Sequence, residues 1–323
     1  MLLAGDIGGT KTLLGLYRRA SERPQAIATR EFTTLAHSSL SAMVRAFLEE
    51  QRAADRVEAA AFGVAGVVRG DVAKLTNVPW VVDAGFIVRD FRVRSVTLLN
   101  DLQAMAYGVP ALQPDEMAVL QAGEPHADGN AALIAAGTGL GEAMLHNVGG
   151  RFIPAASEGG HADFAPRTPR EIELLHELTR IYGRADYEQV ASGLGLINLF
   201  RFTHRGPCPA VGEPPDVSMI PPALTAAALA KRCDACVEAL DIFVSVYGAE
   251  AGNLALRSVA TAGVFVGGGI APKVLAALES GLFMDAFRSK PPMADLLATI
   301  PVYVILNPHA GLLGAAVYAS MTA

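Results

Sequence analysis

The residues with the clearest capacity for chemistry lie in glycine-rich turns between short apolar runs. The first turn, DIGGTKT at 6–12, has a carboxylate at the end of an apolar run, two adjacent glycines, and then hydroxyl and ammonium donors. Backbone N–H groups in such a turn can face an anion, so we predict contact with phosphate; a plain hairpin with a GG turn is the alternative. The residues assigned to this contact are Asp6, Gly8, Gly9, Thr10, Lys11 and Thr12.

Two further glycine-rich turns extend the prediction to a nucleotide site. AAGTGLG at 135–141 repeats the first pattern, and two such loops facing each other across a cleft would hold the β- and γ-phosphates of a nucleotide. GGG at 267–269 permits close approach of the backbone to a flat ligand such as adenosine, although a tight strand-to-helix turn explains it equally well. The residues of these two turns are Gly137, Thr138, Gly139, Gly141, Gly267, Gly268 and Gly269.

Asn100 and Asp101 follow the apolar run SVTLLN, at a strand end of the kind where open α/β folds place reactive side chains. An enzyme that phosphorylates an alcohol needs a carboxylate to accept the hydroxyl proton, and Asp101 fits that role. The alternative is that Asp101 only caps the helix that begins at LQAMAYG.

Polar side chains on the loop SEGGHADFAP suit a ligand with several hydroxyl groups. Glu158 can accept hydrogen bonds from two neighbouring hydroxyls and His161 can donate to or accept from a third, while Glu188 offers another carboxylate. The helical HExxH arrangement of a zinc site is absent here. Five other histidines show no pattern of partners; they are His37, His126, His146, His176 and His204.

The three cysteines are too few for a disulfide framework, and their odd number favours free thiols in a reducing compartment. Cys233 and Cys236 have the spacing of half a zinc site, but they lie in a helical pattern and no second ligand pair is evident. We therefore predict that they pack in a helix and that no metal is held directly by the protein.

Composition excludes several classes of protein. The formal charge of -6 provides no basic field for a nucleic-acid backbone, and no stretch approaches the roughly 18 apolar residues of a membrane helix. The N-terminal residues lack the basic segment of an export signal, so we expect a cytoplasmic protein. The 323 residues are enough for two lobes, each with its own core.

Hydrophobic patterning predicts an α/β protein in which one lobe plan occurs twice. Apolar runs at 2–7 and 13–17 with ATREFTT at 28–34 predict an antiparallel opening, followed by a helix over 39–52 and buried strands at 59–68 and 95–100. AALIAAGTGLGEAML at 131–145 repeats the strand–turn–strand pattern. Later helices are predicted at about 168–183, 190–202, 222–231 and 233–257, strands at TAGVFVGG and 302–306, and a last apolar helix at 311–320.

Eight segments together resemble the bacterial glucokinase family, in this order and over nearly the whole chain. They are LAGDIGGTKT, LTNVPW, LLNDLQAMAYG, AAGTGLGEAML, SEGGHADFAP, SGLGLINLF, FVGGGIAPK and GLLGAAVY. The resemblance implies a two-lobe, ribonuclease H-like fold of the actin and hexokinase kind with a central cleft. The small lobe would be 1–110 with 309–323, and the large lobe 111–308.

The resemblance also implies an ATP-dependent glucokinase that forms glucose 6-phosphate and ADP, usually as a homodimer. Asp101 would be the base for the 6-hydroxyl, and Asp6 would help to position Mg2+, carried by ATP, through water. The two threonine-bearing glycine loops would hold the phosphates and Gly267–Gly269 would border adenosine. The residues expected to contact glucose are Asn100, Asp101, Glu158, His161 and Glu188.

This chain departs from the family pattern at two positions: Leu102 replaces a common Phe, and Leu194 replaces the Pro of an SGPGL segment. We expect neither to touch the chemistry directly. The cysteine-rich zinc motif and the DNA-binding extension of the related repressor and open-reading-frame kinase family are missing, which disfavours a sugar-responsive repressor. A kinase for another hexose and a non-catalytic sugar sensor remain the alternatives.

Overall fold

A computed structural model describes residues 1–53, 56–75, 78–212, 214 and 216–323. The chain forms two compact units. The first unit comprises Met1–Pro114 and Asn307–Ala323, and the second unit comprises Asp115–Leu306. Among the described residues, no helix is long and apolar enough to cross a membrane.

The first unit is built on a five-stranded sheet with the order β3-β2-β1-β4-β8. β1, β2 and β3 are antiparallel neighbours, as predicted, whereas β4 and β8 run parallel to β1. Side chains on both faces of β1 and β4 are buried, which explains why these strands read as continuous apolar runs. The strands are β1 (Leu2–Ile7), β2 (Lys11–Arg18), β3 (Gln25–Thr33), β4 (Ala59–Val64) and β8 (Ser95–Asn100).

Helices cover both faces of this sheet. On one face, α1 buries the apolar positions predicted from its period, and Ser39 caps its start by accepting a hydrogen bond from the N–H of Ala42 at 3.2 Å. On the other face, α11 packs against Leu2, Ala4, Ala59 and Ala61. The helices of this unit are α1 (Leu40–Glu50), α2 (Ala84–Phe91), α3 (Asp101–Gly108) and α11 (Ala310–Thr322).

A small antiparallel sheet in the first unit was missed by the sequence analysis. The single strand predicted at 59–68 is two strands, because the chain leaves β4 at Val64 and turns into β5 at Gly66. Each new strand is short and mostly exposed on one side, so none forms a distinct apolar run. The order is β5-β6-β7, with β5 (Gly66–Arg69), β6 (Val72–Leu75) and β7 (Val81–Asp83).

The second unit repeats the plan of the first, as predicted. Its six-stranded sheet has the order β12-β11-β10-β13-β14-β9. β10, β11 and β12 are antiparallel, β13 and β14 run parallel to β10, and the edge strand β9 is an addition. The strands are β9 (Met117–Gln121), β10 (Ala131–Ala136), β11 (Leu140–Val148), β12 (Arg151–Ser157), β13 (Gly263–Gly267) and β14 (Val302–Ile305).

One long helix, α7, forms the centre of the second unit's core. Its hydrophobic positions are buried almost all round, as expected for a helix covered by the sheet and by other helices. The helices here are α4 (Pro169–Tyr182), α5 (Gly193–Thr203), α6 (Ile220–Leu229), α7 (Asp234–Ser258), α8 (Leu275–Leu278), α9 (Leu282–Arg288) and α10 (Ala294–Thr299).

Candidate functional site

The first glycine turn joins β1 to β2 and is fixed by hydrogen bonds to both backbone groups of Gly8. The N–H of Gly8 donates to the carbonyl of Lys11 at 2.9 Å, and a Cβ at Gly8 would lie 2.8 Å from that carbonyl oxygen. The hydroxyl of Thr34 donates to the carbonyl of Gly8 at 2.8 Å. The hydroxyl of Thr12 is fully buried and bonds Thr34 at 2.9 Å. The hydroxyl of Thr12 therefore supports the loop from inside and does not face a ligand, whereas contact of the turn itself with phosphate stays a prediction.

Other members of this turn are placed differently. Gly9 has open space around the position of a Cβ, and Thr10 is exposed. Lys11 begins β2, and its Nζ lies 2.8 Å from Oε1 of Glu31 on the neighbouring strand. Both side chains of this pair are more than half exposed, so the contact is weak and a phosphate can compete for the lysine.

Asp6 and Asp101 form an electrostatically linked pair in the first unit. Burial raises the pKa of Asp6 to about 6, and the nearby charge of Asp101 adds to the effect. Gly311, at the start of α11, lies against the Asp6 carboxylate, where a Cβ would come within 3.1 Å of Oδ2. Two carboxylates in this relation favour a cation beside them, because positive charge stabilises the ionised form of both.

Asn100, and not Asp101, caps helix α3. The Asn100 side-chain oxygen accepts hydrogen bonds from the N–H groups of Leu102 at 3.0 Å and Gln103 at 3.3 Å. Asp101 is the first residue of the helix, and its Oδ1 accepts from the N–H of Leu102 at 2.9 Å. The capping role that was the alternative for Asp101 is thus performed by Asn100. The amide NH2 group of Asn100 is the part of its side chain that can donate to a sugar oxygen.

The second glycine turn joins β10 to β11 and is held by Glu188. The N–H of Gly137 donates to the carbonyl of Gly139 at 2.8 Å, which closes the turn, and Gly141 lies inside β11 opposite Ala135. Glu188 Oε2 accepts from the N–H of Leu140 at 3.0 Å, and a Cβ at Gly139 would lie 2.4 Å from that oxygen. Gly139 is therefore required for the carboxylate to approach the turn.

The GGG turn after β13 lies against the second glycine turn. Gly268 has a φ of 86°, and a Cβ there would lie 2.3 Å from the carbonyl oxygen of Ala136. The hydroxyl of Tyr247 joins the two strands, since it lies 3.1 Å from the Ala136 nitrogen and 3.3 Å from the Gly267 oxygen. The sequence gives no signal for this role of Tyr247, because a tyrosine within a helical apolar pattern is typical of a core residue.

A cavity of about 680 Å³ opens on these turns within the second unit. This volume is in the range of small-molecule sites. Leu194, one of the two departures from the family pattern, lies in its wall. The lining residues include Gly137, Thr138, Gly139, Glu188, Leu194 and Gly269.

The loop with Glu158 and His161 is attached to the same part of the second unit. Gly160 is buried, and its carbonyl accepts a hydrogen bond from the N–H of Glu188 at 2.8 Å. Both Glu158 and His161 are exposed, as ligand-binding side chains must be. Asp186, which sequence analysis missed, lies under the loop with its Oδ2 3.4 Å from His161 Nδ1 and thereby orients the imidazole.

A buried carboxyl, Glu142 on β11, lies directly beneath this loop. It is 1% exposed, and a Cβ at Gly159 would lie 2.1 Å from its Oε2. Burial raises the pKa of Glu142 to about 8, the charge of Glu250 adds to the effect, and Arg257, with Nη1 3.7 Å from Oε2, opposes it. Glu142 is therefore protonated more readily than an exposed glutamate.

We expect Glu142→Gln to be more thermostable than the wild type at pH 9, by roughly 5 °C or more, and similar to it near pH 5. The pKa of Glu142 in the folded chain lies above its ordinary value of 4.5, so its contribution is complete at low pH and is lost as pH rises through about 8. Thermal unfolding followed by circular dichroism across this range tests the expectation. Glu279→Gln, at an exposed carboxylate, is the control, and its thermal midpoint should follow that of the wild type at every pH. The expectation would be contradicted if the midpoint of Glu142→Gln also changed with pH in the same way as that of the wild type.

The cysteines give the largest departure from the sequence analysis. Cys233 and Cys236 were expected to pack in a helix without a second ligand pair, and His204 was expected to have no partner. The structure corrects both points, because Cys208 and His204 lie beside the two cysteines at the start of α7. The four residues, called the thiol–imidazole cluster below, are His204, Cys208, Cys233 and Cys236.

Comparison with known proteins decides the family. The sequence profile of the family described as Glucokinase matches residues 3–322. The chain belongs to the glucokinase family. The glucokinase of Nostoc punctiforme is 37% identical over 344 residues, with 99% of each chain covered. The glucokinase of Mesorhizobium japonicum is 38% identical over 321 residues, covering 98% of this chain and 91% of the relative.

The similarity extends to a solved glucokinase structure. A glucokinase from an Antarctic psychrotroph has a TM-score of 0.87 and 27% identity, with 98% of both chains covered. The predicted glucokinase resemblance and the predicted α/β fold of the ribonuclease H-like, actin and hexokinase kind are confirmed. The predicted enzyme class, a kinase acting on glucose, is also confirmed, because these relatives are glucokinases.

Proposed function

We propose that this chain transfers the γ-phosphoryl group of ATP to the 6-hydroxyl of glucose, giving glucose 6-phosphate and ADP. The observation that carries the proposal is Asp101, a strand-end carboxylate beside Asp6 in a chain that matches the glucokinase family from residue 3 to residue 322. The proposed enzyme has a small lobe, 1–110 with 309–323, and a large lobe, 111–308.

Asp101 is the proposed general base. As the 6-oxygen attacks the γ-phosphorus, Asp101 accepts the hydroxyl proton, the bond to the bridging oxygen breaks, and ADP leaves. The start of α3 keeps the carboxylate in place through the Leu102 N–H bond, and the cap by Asn100 fixes the helix start itself. A side chain already held in its working position loses little freedom in the transition state.

The sugar is proposed to be held by hydrogen bonds on several sides. Glu158 and Glu188 would accept from hydroxyls, Asn100 would donate through its amide, and His161 would donate or accept at a third position. Asp186 fixes the ring of His161, and the backbone bond between Glu188 and Gly160 keeps one acceptor in register with the loop.

The nucleotide is proposed to be held mainly by backbone groups. Gly8, Gly9 and Thr10 of the first unit would contact the phosphates, as would the Gly137–Gly139 turn of the second unit. Gly269 in the cavity wall would border adenosine. Backbone donors that need no rearrangement are effective at stabilising charge that develops in a transition state.

Mg2+ is the metal that we propose to accompany ATP. The raised pKa of Asp6 beside Asp101 is the observation that fits it, because a hard divalent cation would remove the penalty of two close carboxylates. Asp6 would hold the ion through water. When bound, the ion neutralises phosphate charge. We further propose, on the family resemblance, that the protein is a cytoplasmic homodimer.

The first test is product formation by the purified protein with ATP and Mg2+ and one sugar at a time. We expect phosphorylation of glucose at a kcat/KM at least about tenfold above that for mannose, fructose or N-acetylglucosamine. A higher value for another hexose would transfer the proposal to that sugar. Sugar binding without ATP consumption would replace it by a sensor function.

A further inference from the structure

The thiol–imidazole cluster lies in the second unit and contains no residue assigned to sugar or phosphate. Cys208 is 4% exposed and Cys236 is fully buried, whereas His204 and Cys233 are half-buried. His204 directly follows α5, Cys208 follows in the next loop, and Cys233 and Cys236 lie at the cap and third position of α7. Three separate segments therefore converge on one point.

Four of the six distances between ligand atoms in the cluster are close to the edges of one coordination tetrahedron. Cys208 Sγ lies 3.6 Å from Cys233 Sγ and 3.9 Å from Cys236 Sγ, and His204 Nε2 lies 3.5 and 3.6 Å from the latter two sulfurs. All the ligand atoms lie within 4.8 Å of one another. With Zn–S bonds of about 2.3 Å and a Zn–N bond of about 2.0–2.1 Å, tetrahedral angles give edges of about 3.8 Å between sulfurs and about 3.6 Å from sulfur to nitrogen.

The same distances exclude a disulfide in this conformation, because bonded sulfurs lie about 2.05 Å apart. All three cysteines are free thiols in the structure. Three thiols that only packed together would have no reason to surround an imidazole nitrogen at tetrahedral spacing.

The imidazole is held in the tautomer that a metal needs. His204 Nδ1 lies 2.9 Å from the carbonyl oxygen of Phe200, which can only accept, so Nδ1 carries the proton. The hydroxyl of Thr203, 3.1 Å from Nδ1, donates to the carbonyl of Leu199 and is a second acceptor for the same N–H. The lone pair of Nε2 is therefore directed at the sulfurs, an arrangement typical of metal-binding histidines.

Two of the cysteines lie at the start of one helix. Cys233 is the N-cap residue of α7, and Cys236 lies in its first turn. Three thiolates and one imidazole form a soft, tetrahedral set, which selects Zn2+ over the hard cation proposed for the phosphates. Four protein ligands leave no open position, so the set suits a structural and not a catalytic ion.

We propose that the thiol–imidazole cluster binds one structural Zn2+ ion. The ion joins the end of α5, the loop that starts at Cys208 and the start of α7. Metal binding at this cluster does not rest on the proposed function.

Metal content of the tag-free protein tests the proposal without any assay of catalysis. By inductively coupled plasma mass spectrometry, we expect about one zinc equivalent per wild-type chain and less than about a tenth of an equivalent per Cys233→Ser chain. His146→Gln, at an exposed histidine of β11, is the matched control for His204→Gln and should keep its zinc while His204→Gln loses it. A wild-type chain that holds less than about a tenth of an equivalent, even after incubation with zinc and dialysis, would overturn the proposal.

Cobalt gives a second readout that reports the ligands. Wild-type chain freed of metal by a chelator should bind Co2+ with visible bands of tetrahedral cobalt and a thiolate charge-transfer band, saturating at one equivalent. Colourless or octahedral cobalt would contradict the ligand set. Removal of zinc should lower the thermal midpoint by roughly 5 °C or more, and an unmoved midpoint would overturn the structural role.

Discussion

Asp101→Ala is expected to lose turnover by about 10²–10⁴-fold while keeping its affinity for glucose within about tenfold. The substitution removes the group that accepts the 6-hydroxyl proton, and it leaves the other proposed sugar contacts intact. Because Asn100 caps α3, the helix start should persist in the variant. Steady-state rates with ATP, together with calorimetric titration of glucose, measure both quantities.

Asp83→Ala is the matched control, since Asp83 is also a carboxylate at a helix start in the first unit. Its Oδ1 accepts from the N–H of Gly85 at 2.7 Å, which makes it the cap of α2. We expect this variant to lose about 1 kcal/mol of stability and no turnover. Equal loss of kcat in the two variants would show that the effect comes from the fold, and wild-type kcat in Asp101→Ala would remove that residue from the role of base.

Gly160→Ala is expected to raise the KM for glucose by about tenfold or more and to lower the thermal midpoint. A Cβ at Gly160 would lie 2.1 Å from the carbonyl oxygen of Leu140, which cannot move without disturbing β11. The loop must therefore shift, and with it Glu158 and His161. The backbone bond from Glu188 to Gly160 carries the shift to the third proposed sugar ligand.

Gly206→Ala provides the control for adding a methyl group to a glycine. Among the residues that the structure describes, and apart from its two chain neighbours, no atom lies within 4 Å of the position that its Cβ would take. We therefore expect the KM for glucose and the thermal midpoint to stay unchanged. A Gly160→Ala enzyme with wild-type KM would show that the loop does not hold the sugar, even if the variant were less stable.

The longest apolar patterns were the parts of the fold that sequence could predict. The opening antiparallel strands, α1 with its five buried positions, and the repetition of one sheet plan all follow from periodicity. β5, β6 and β7 were missed, because short strands with one exposed face carry little hydrophobic signal. β9 and β12 were missed for the same reason, being partly exposed strands at the edges of their sheet.

Sequence named most of the candidate site but not the groups that support it. Motifs of glycine, threonine and carboxylate predict positions that touch a ligand, and the family resemblance implies their roles. Asp186, Tyr247 and Glu142 act through other residues, and their partners lie far away in the sequence, so no spacing rule finds them. The burial of the Thr12 hydroxyl could not be predicted either, since its partner Thr34 follows the end of β3, 22 residues further along the sequence.

The thiol–imidazole cluster shows the limit of spacing rules for metal sites. Cys233 and Cys236 form a recognisable half-site, and His204 and Cys208 form the other half. In the sequence, Cys208 lies 25 residues and His204 lies 29 residues before Cys233. The second pair combines a histidine with a cysteine and lies across a loop and a helix. Only the fold brings the two halves together.

Helix α11 has a consequence for how the protein is made. It supplies Leu312, Ala315, Ala316 and Ala319 to one face of the first unit's sheet, although the strands on that face are near the N-terminus. A ribosome therefore completes residues 115–306 before this face can be covered. The second unit can fold as a continuous segment while the first still exposes apolar strands, and the nascent chain is most open to chaperones during that interval.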